Sequence, residues 1–333
     1  MTPLGTAVKL HALCRIGGAT LNSCNRRRIL GLVCATLIAA AAGGCSVSKK
    51  TAVAPADKPL PVQTATKDEL VARYNKQASA ITSINASVSL KLTAGSAYSG
   101  VIEQYHEVNA FILAQKPADI RMIGQAPVVG KNIFDMVSDG TTFSVFIPSK
   151  NKFITGPSNF ERKADKPIEN LRPQHLVDAL LWAPIPEHAP VLIEEEISGA
   201  KRFYVLTVVR PGGHGGVVMG WEIAHRIYFD RADLSVARIE TFGSEGALES
   251  DATYSGSIAA ADSTYPTQIV VSRPEEDYKL QIDVKKVTAN ETVSADKFVL
   301  KQPEGTDLVR VSDAPANPPS APLSPSQELH PQQ

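Results

Sequence analysis

The stretch that decides the fold class is residues 101–147, VIEQYHEVNAFILAQKPADIRMIGQAPVVGKNIFDMVSDGTTFSVFI. Along it, β-forming apolar residues alternate with other residues in four segments, which predicts four successive strands at 101–114, 120–125, 133–138 and 142–147. Ser138, Asp139 and Gly140, between the last two segments, predict a tight hairpin turn. The stretch therefore predicts an antiparallel sheet in which consecutive strands are neighbours.

The same pattern continues on both sides of this stretch. It predicts further strands at 87–92, 189–197, 201–210, 221–230, 235–243, 247–256, 265–272 and 278–288. A period near 3.6 predicts a helix that begins at a capping box of Thr66 and Glu69, and a second helix over 169–182. We predict a mainly β fold with few helices (α+β): a single curved antiparallel sheet forming an incomplete half-barrel of about eleven strands, covered by helices.

Three strands, at 110–114, 133–137 and 143–147, are apolar at both alternating positions, so their side chains cannot all face one core. An ordinary filled core accounts for most of these residues, and a lipid-sized hydrophobic cavity inside the half-barrel is the alternative. The candidate cavity residues are Ile120, Met122, Phe134, Met136, Phe143, Val145, Leu180 and Trp182. The apolar loop residues Pro127, Val128 and Val129 are candidates for contact with a membrane or cargo, or for simple packing.

The charge balance separates the N-terminus from the body. The chain has 34 basic and 34 acidic residues, a balance that argues against nucleic-acid binding. Residues 1–44 hold five of the basic residues and no acidic one. A basic cluster at 26–28, an apolar run at 29–42 and small residues before Cys45 predict a signal peptide that ends at residue 44. The small residues directly before the cysteine resemble a bacterial lipobox, which implies lipid attachment at Cys45.

Composition also predicts the remaining boundaries. Residues 45–66 are predicted to form the lipidated cysteine and a flexible linker, because they are rich in Pro, Ala, Thr and Lys without periodicity. Residues 67–312 are predicted to form one domain, which we expect to be monomeric. The tail at 313–333 has six prolines and little to bury, which predicts disorder.

Motifs for catalysis are missing from the sequence. The histidines show no ligand spacing such as HExxH, and the chain has no nucleophile elbow, phosphate-binding loop or dinucleotide fingerprint. His214, in a glycine run, is a weak metal-ligand candidate, since a flexible loop does not preorganise a site. We therefore expect no enzyme activity, no metal site and no cofactor, although catalytic groups need not cluster in sequence.

Three segments together resemble the LolA/LolB-like family of bacterial lipoprotein carriers and receptors. They are the Lys-Pro strand start at 116–122, the Ser-Asp-Gly hairpin at 137–143, and the segment at 294–305, where a Phe-containing strand ends in Pro-x-Gly. The resemblance implies a half-barrel of eleven strands that holds the acyl chains of a lipoprotein. It also marks Lys116 as a candidate contact to a helical lid.

A lipid anchor at Cys45 resembles the receptor branch of that family. The resemblance implies a protein attached to the outer membrane and facing the periplasm, which binds acyl chains of lipoproteins or other lipids and helps to localise them. A periplasmic carrier protein would then be a partner. The alternative is a structural or assembly lipoprotein that binds a protein partner and carries no lipid.

Overall fold

The computed structural model describes residues 62–95, 102–158, 173–213 and 220–311, all within one compact unit, Asp57–Gln333. The predicted signal peptide, Cys45, most of the predicted linker, His214 and the predicted tail at 313–333 lie outside the described residues.

Strands account for 55% of the structure, and two short helices accompany them. The helices are α1, Lys67–Ala80, and α2, Val177–Leu180. The strands are β1 Ser83–Ala94, β2 Glu103–Gln104, β3 Val108–Gln115, β4 Asp119–Gln125, β5 Asn132–Ser138, β6 Thr142–Ile147, β7 Lys152–Pro157, β8 Val191–Ser198, β9 Lys201–Gly212, β10 Gly220–Asp230, β11 Ser235–Phe242, β12 Leu248–Ser255, β13 Ile258–Ala260, β14 Ser263–Tyr265, β15 Gln268–Arg273, β16 Tyr278–Ala289 and β17 Asp307–Arg310. Short 3₁₀ turns occupy Pro148–Lys150, Pro173–Leu176, Ser244–Gly246 and Ala295–Phe298.

Fifteen of these strands form one curved sheet that does not close into a barrel. Its order is β17-β7-β6-β5-β4-β3-β1-β16-β15-β12-β11-β10-β9-β8, and β2 pairs with β1 outside this path. Strands β13 and β14 form a separate hairpin. The prediction of a mainly β fold with a curved open sheet is confirmed, and the count of about eleven strands is wrong.

The missed strands have weak local signals. Strand β7 ends in Gly156 and Pro157, two residues that are rare in strand interiors. Strand β17 has four residues and pairs in parallel with β7, so its partner lies about 150 positions earlier in the chain. A pairing of that kind has no short connecting turn that the sequence could show.

One face of the sheet carries the main core. Ala86, Ile112, Met122, Met136 and Val145 are cross-strand neighbours on five successive strands, from β1 through β3, β4 and β5 to β6. The first four are buried, and Val145 packs against the same cluster. We call this side the inner face and the opposite side the outer face.

Helix α1 packs on the inner face. The predicted capping box is confirmed: the Thr66 hydroxyl accepts from the Glu69 N–H, and the Glu69 carboxylate accepts from the Thr66 N–H. Leu70, Tyr74 and Ala78 follow at helical spacing and are buried in the same cluster as the inner-face strands. The cap sets where the helix begins, and the apolar stripe sets which side it turns to the sheet.

Part of the outer face is covered at β5, one of the three strands that are apolar at both alternating positions. Val137 and Phe298 are buried on this side, and the segment around Phe298 crosses the outer face of β4. Arg121 holds the segment by donating to the Lys297 carbonyl, 2.9 Å away, and pairs with Asp135 through two hydrogen bonds of 3.0 and 2.8 Å. Val137 therefore packs beneath a C-terminal segment and does not line a cavity, whereas Phe111 and Ile133 are 48% and 37% exposed.

The second predicted helix is much shorter than 169–182. Among the described residues of that range, Pro173–Leu176 form a 3₁₀ turn and Val177–Leu180 a single α-helical turn. The helix ends before Trp182, because Leu181 leaves helical geometry and Pro184 restricts the residue before it to extended conformations. The segment 173–185 then crosses the inner face beside α1.

Candidate functional site

The structure places the eight predicted cavity residues in the core. Six of them are buried: Ile120, Met122, Met136, Phe143, Leu180 and Trp182. The other two, Phe134 and Val145, are half-buried and pack against the main core cluster. Six come from the inner faces of β4, β5 and β6, and the remaining two from the segment 173–185. Seven of them belong to or pack against one core cluster, in which Ile120 and Met122 are completely buried. Phe143 is buried outside that cluster.

A crevice opens at the edge of this layer. It lies between the end of α1, the segment 173–185 and strand β14, and its volume is about 290 Å³ including its open mouth. Its lining is largely apolar and comprises Gln77, Ala78, Ile81, Leu180, Leu181, Trp182, Thr264, Tyr265 and Pro266. Its enclosed part is only about 20 Å³, room for about one water molecule, whereas small-molecule pockets start at roughly 300 Å³.

Only Leu180 and Trp182 of the crevice lining were predicted. The wall formed by Thr264, Tyr265 and Pro266 was missed because the hairpin β13–β14 leaves the main sheet, so no strand pattern placed it near α1. The aromatic and proline residues at 265–266 were the available signal, but the sequence placed them at the start of a sheet strand.

Three polar contacts hold the crevice walls. The Tyr265 hydroxyl donates to the Leu180 carbonyl at 3.0 Å. The Asn75 side-chain amide donates to the Ile185 carbonyl at 3.1 Å and accepts from the Ile185 N–H at 2.8 Å. Burial raises the pKa of Tyr265 well above its ordinary value, so its hydroxyl remains a neutral donor at physiological pH. These few bonds fix the segment 173–185 to α1 and to β14.

Trp182 is the largest apolar anchor of the segment 173–185. Its ring stacks on Tyr74 of α1 with centroids 5.8 Å apart and planes 7° apart, and it meets Tyr254 of β12 edge-to-face at 5.0 Å. These are favourable arrangements for aromatic pairs. Trp182 therefore joins the helix, the segment 173–185 and the sheet beside the crevice.

Lys116 contacts the last turn of α1. Its ammonium group donates to the Ala78 carbonyl, and its main-chain N–H donates to the Thr82 carbonyl at 2.9 Å. A positive charge at a helix C-terminus interacts favourably with the helix dipole. Burial lowers the pKa of Lys116. Because Ala78 lines the crevice, the contact of Lys116 with the Ala78 carbonyl stabilises the part of α1 that forms one wall of the crevice.

The predicted contact loop is exposed, at the other end of the strands. Pro127 is exposed, and Val128 and Val129 are 95% and 75% exposed. The loop joins β4 to β5, and the strand order places it at the same end of the sheet as Trp221, which is 66% exposed. We call Val128, Val129 and Trp221 the apolar rim. The crevice lies at the opposite end, beside the starts of β1 and β15, so the structure does not bring the loop and the crevice together.

Polar groups do not converge in the crevice. In the parts of the chain that the structure describes, no group of three His, Cys, Asp or Glu side chains could hold a metal ion. Burial lowers the pKa of His225, and its ring lies 3.3 Å from the Thr241 hydroxyl, a neighbour on β11. Across the same described ranges, no helix is long and apolar enough to cross a bilayer.

No protein-family model and no curated protein matches the chain. Solved structures of three proteins are similar to it. A LolA superfamily protein from Nitrosomonas europaea is 13% identical, with 72% of this chain and 99% of that one covered and a TM-score of 0.41. A DUF1329 family protein from Desulfovibrio piger is 15% identical, with 69% and 94% covered and a TM-score of 0.42. A putative outer membrane lipoprotein-sorting protein domain from Vibrio parahaemolyticus is 10% identical, with 68% and 94% covered and a TM-score of 0.39.

The LolA superfamily, to which one of these similar structures belongs, is also the one that the three sequence segments resemble.

Proposed function

We propose that this protein binds acyl chains of lipoproteins or other lipids in the crevice beside α1 and helps to localise them at the outer membrane, without covalent chemistry. The observation that carries the proposal is the crevice itself: apolar side chains of Ile81, Leu180 and Trp182 line an opening between helix α1 and the segment 173–185. Gln77 and Thr264 add polar groups suited to the ester end of a lipid.

Binding requires the segment 173–185 to move. The crevice is small for an acyl chain, and the inner-face residues beneath it are packed. Displacing the segment would expose the inner face and replace its packing with lipid carbon atoms. Burial of each CH₂ group is worth about 0.8 kcal/mol, and the bilayer offers the same gain, so transfer is nearly balanced and a small affinity difference sets its direction without ATP.

The position of the crevice suits a protein anchored at Cys45. The Gln63 N–H donates to the Arg231 carbonyl at 2.6 Å, which attaches the segment before α1 to the crevice end of the strands. The chain from Cys45 to Gln63 reaches at most about 60 Å. Lipidation at Cys45 would keep Gln63, at the crevice end of the strands, within that distance of the bilayer.

Binding of a fluorescent fatty acid tests the proposal. Thr264 is exposed at the crevice mouth, so Thr264→Trp should block entry with little effect on folding. Thr253→Trp, at an exposed outer-face position of β12, is the matched control. The wild type and the control should bind the probe, and Thr264→Trp should bind at least tenfold more weakly. Equal binding by all three proteins would refute the crevice as the site.

The apolar rim is proposed to contact the protein or membrane that delivers the lipid. Its three side chains project from two different hairpins at one end of the sheet, away from the crevice. Replacing Val128 and Val129 with Ser should slow transfer of a labelled lipoprotein and leave binding of the fatty acid unchanged. If the double variant transfers the labelled lipoprotein as fast as the wild type does, the loop does not have this role.

One observation favours the alternative of a structural or assembly lipoprotein. Ile120 and Met122 are completely buried, and a filled inner face is what a scaffold needs. The alternative predicts no fatty-acid binding by the wild type, whereas the carrier proposal predicts binding that Thr264→Trp abolishes.

A further inference from the structure

Strand β8 ends the sheet on one side. It pairs with β9 without a bulge from Val191 opposite Val208 to Ser198 opposite Lys201, and within the described ranges no other strand pairs with it. Natural edge strands are usually shortened, bulged, covered, or protected by Pro or by charged side chains, Lys above all. Strand β8 has eight residues without Lys or Pro, and its charged residues are three Glu, which repel only acidic partners. Its edge is therefore open to pairing with another strand.

The hydrogen-bond pattern identifies which backbone groups face outward. The Val209 N–H donates to the Pro190 carbonyl, which makes Val191 and Val208 a non-hydrogen-bonded pair. Because such pairs alternate along an antiparallel ladder, the N–H and C=O groups of Ile193, Glu195 and Ile197 point away from β9. These three residues present the groups that an added strand would bind.

The side chains of β8 define the partner's pattern. On the inner side, Ile193 and Ile197 are 39% and 69% exposed and flank Glu195, whose carboxylate accepts from Arg231 at 2.7 Å. On the outer side, Glu194 and Glu196 share one cation, Arg226, at 2.7 and 3.7 Å, and their side chains remain 55% and 38% exposed. A strand added to this edge would therefore meet two isoleucines and an ion-paired glutamate on one face, and an excess of negative charge beside the exposed Leu192 on the other.

A second copy of the chain fits this edge poorly. Antiparallel pairing of two β8 strands must place outward-facing residues opposite each other. In the register that places Glu194 opposite Glu194 of the second copy, these two like charges face each other. In the register that places Glu195 opposite its own copy, Glu194 faces Glu196. Like charges directly opposite destabilise a strand pair.

We propose that the β8 edge binds an extended segment of another protein in which Lys or Arg alternates with apolar residues. The basic residues would lie beside Glu194 and Glu196, and the apolar ones beside Ile193 and Ile197. The main chain of the segment would bond to the outward-facing groups of β8, as in other complexes formed by strand addition. This site is independent of the lipid crevice.

Two matched peptides test the proposal with the full-length chain in zwitterionic detergent. One is a capped seven-residue peptide of alternating Lys and Val, and the other has Glu in place of Lys. Fluorescence anisotropy should show at least tenfold tighter binding of the Lys peptide. Equal affinities would overturn the proposal.

Residue-resolved hydrogen exchange distinguishes strand addition from simple charge attraction. The Lys peptide should slow exchange of the Ile193, Glu195 and Ile197 amides, while the Leu192, Glu194 and Glu196 amides, which already bond to β9, should change little. Binding without this alternation would contradict the proposal.

A proline variant supplies a second test. Ile193→Pro removes an outward N–H without breaking a bond to β9, and should weaken binding at least tenfold, whereas Ile193→Val should not. Full binding by a folded Ile193→Pro protein would overturn the proposal. If thermal melting shows that this variant is unfolded, the exchange pattern of the wild type decides.

Discussion

The chain's two tryptophans offer a direct test of the packing beside the crevice, since one is buried and the other is exposed. Trp182 is 8% exposed and contacts two aromatic rings, whereas Trp221 is 66% exposed on the apolar rim. Truncating a buried Trp to Ala costs about 3–5 kcal/mol, and an exposed substitution is usually within about 0.5 kcal/mol. Trp182→Ala should therefore lower the free energy of unfolding by about 3–5 kcal/mol, and Trp221→Ala should leave it nearly unchanged.

Urea unfolding followed by circular dichroism measures both changes. Each variant also retains one tryptophan as a fluorescence reporter: Trp182 should emit as a buried ring that shifts to the red on unfolding, and Trp221 as an exposed ring in the folded state. A loss below about 1 kcal/mol in Trp182→Ala would mean that the segment 173–185 is not packed against α1 and β12 as described. Equal losses in the two variants would refute the assignment of one buried and one exposed ring.

Three further changes should have defined effects. Gly124→Ala would place a Cβ 2.3 Å from a ring carbon of Phe134, and should lower the free energy of unfolding by about 1–3 kcal/mol in urea titrations. Arg231→Ala removes a buried cation that donates to Gln63 and Glu195, and should cost about 1.5–3 kcal/mol and expose the segment before α1 to limited proteolysis. Desolvation alone would raise the pKa of Glu276, but its hydrogen bond and ion pair with Arg273 lower that pKa below the ordinary 4.5. The stability from this pair is therefore present above about pH 4.5 and is lost as pH falls through the lower pKa of the folded state. Melting temperature should therefore fall less steeply below pH 4.5 in Glu276→Gln than in the wild type.

The parts of the fold with local signals were predictable. Alternation placed strands β4 to β6 within a few residues, whereas the predicted strand 101–114 began seven residues before β3. Ser138, Asp139 and Gly140 lie at the turn that joins β5 to β6. The capping box at Thr66 and Glu69 fixed the start of α1 to the residue. Each of these features depends on neighbours within four positions, which is the range that sequence patterns report.

Features that depend on distant partners were not predictable. The parallel pair of β17 with β7, the C-terminal segment over the outer face, and the hairpin β13–β14 beside α1 all join residues that are far apart in the chain. The second apolar set of β5 illustrates the consequence. Val137 suggested a cavity, because the sequence does not show that Phe298 packs on the same side of the sheet.

For the candidate site, the sequence showed which residues are apolar or basic but not where they lie in the fold. Leu180 and Trp182 do line the crevice, and Lys116 does contact a helix, at the Ala78 carbonyl. Most of the other predicted cavity residues are packed in the core instead, because alternation shows that a residue is apolar but not whether a helix or a lipid covers it.

Mass spectrometry of lipids that co-purify with the protein under native conditions tests the central claim most directly. The account predicts about one bound acyl lipid per wild-type chain, and loss of that lipid in Thr264→Trp but not in Thr253→Trp. A wild-type protein without bound lipid, which also fails to accept a labelled lipoprotein from a donor membrane, would contradict it.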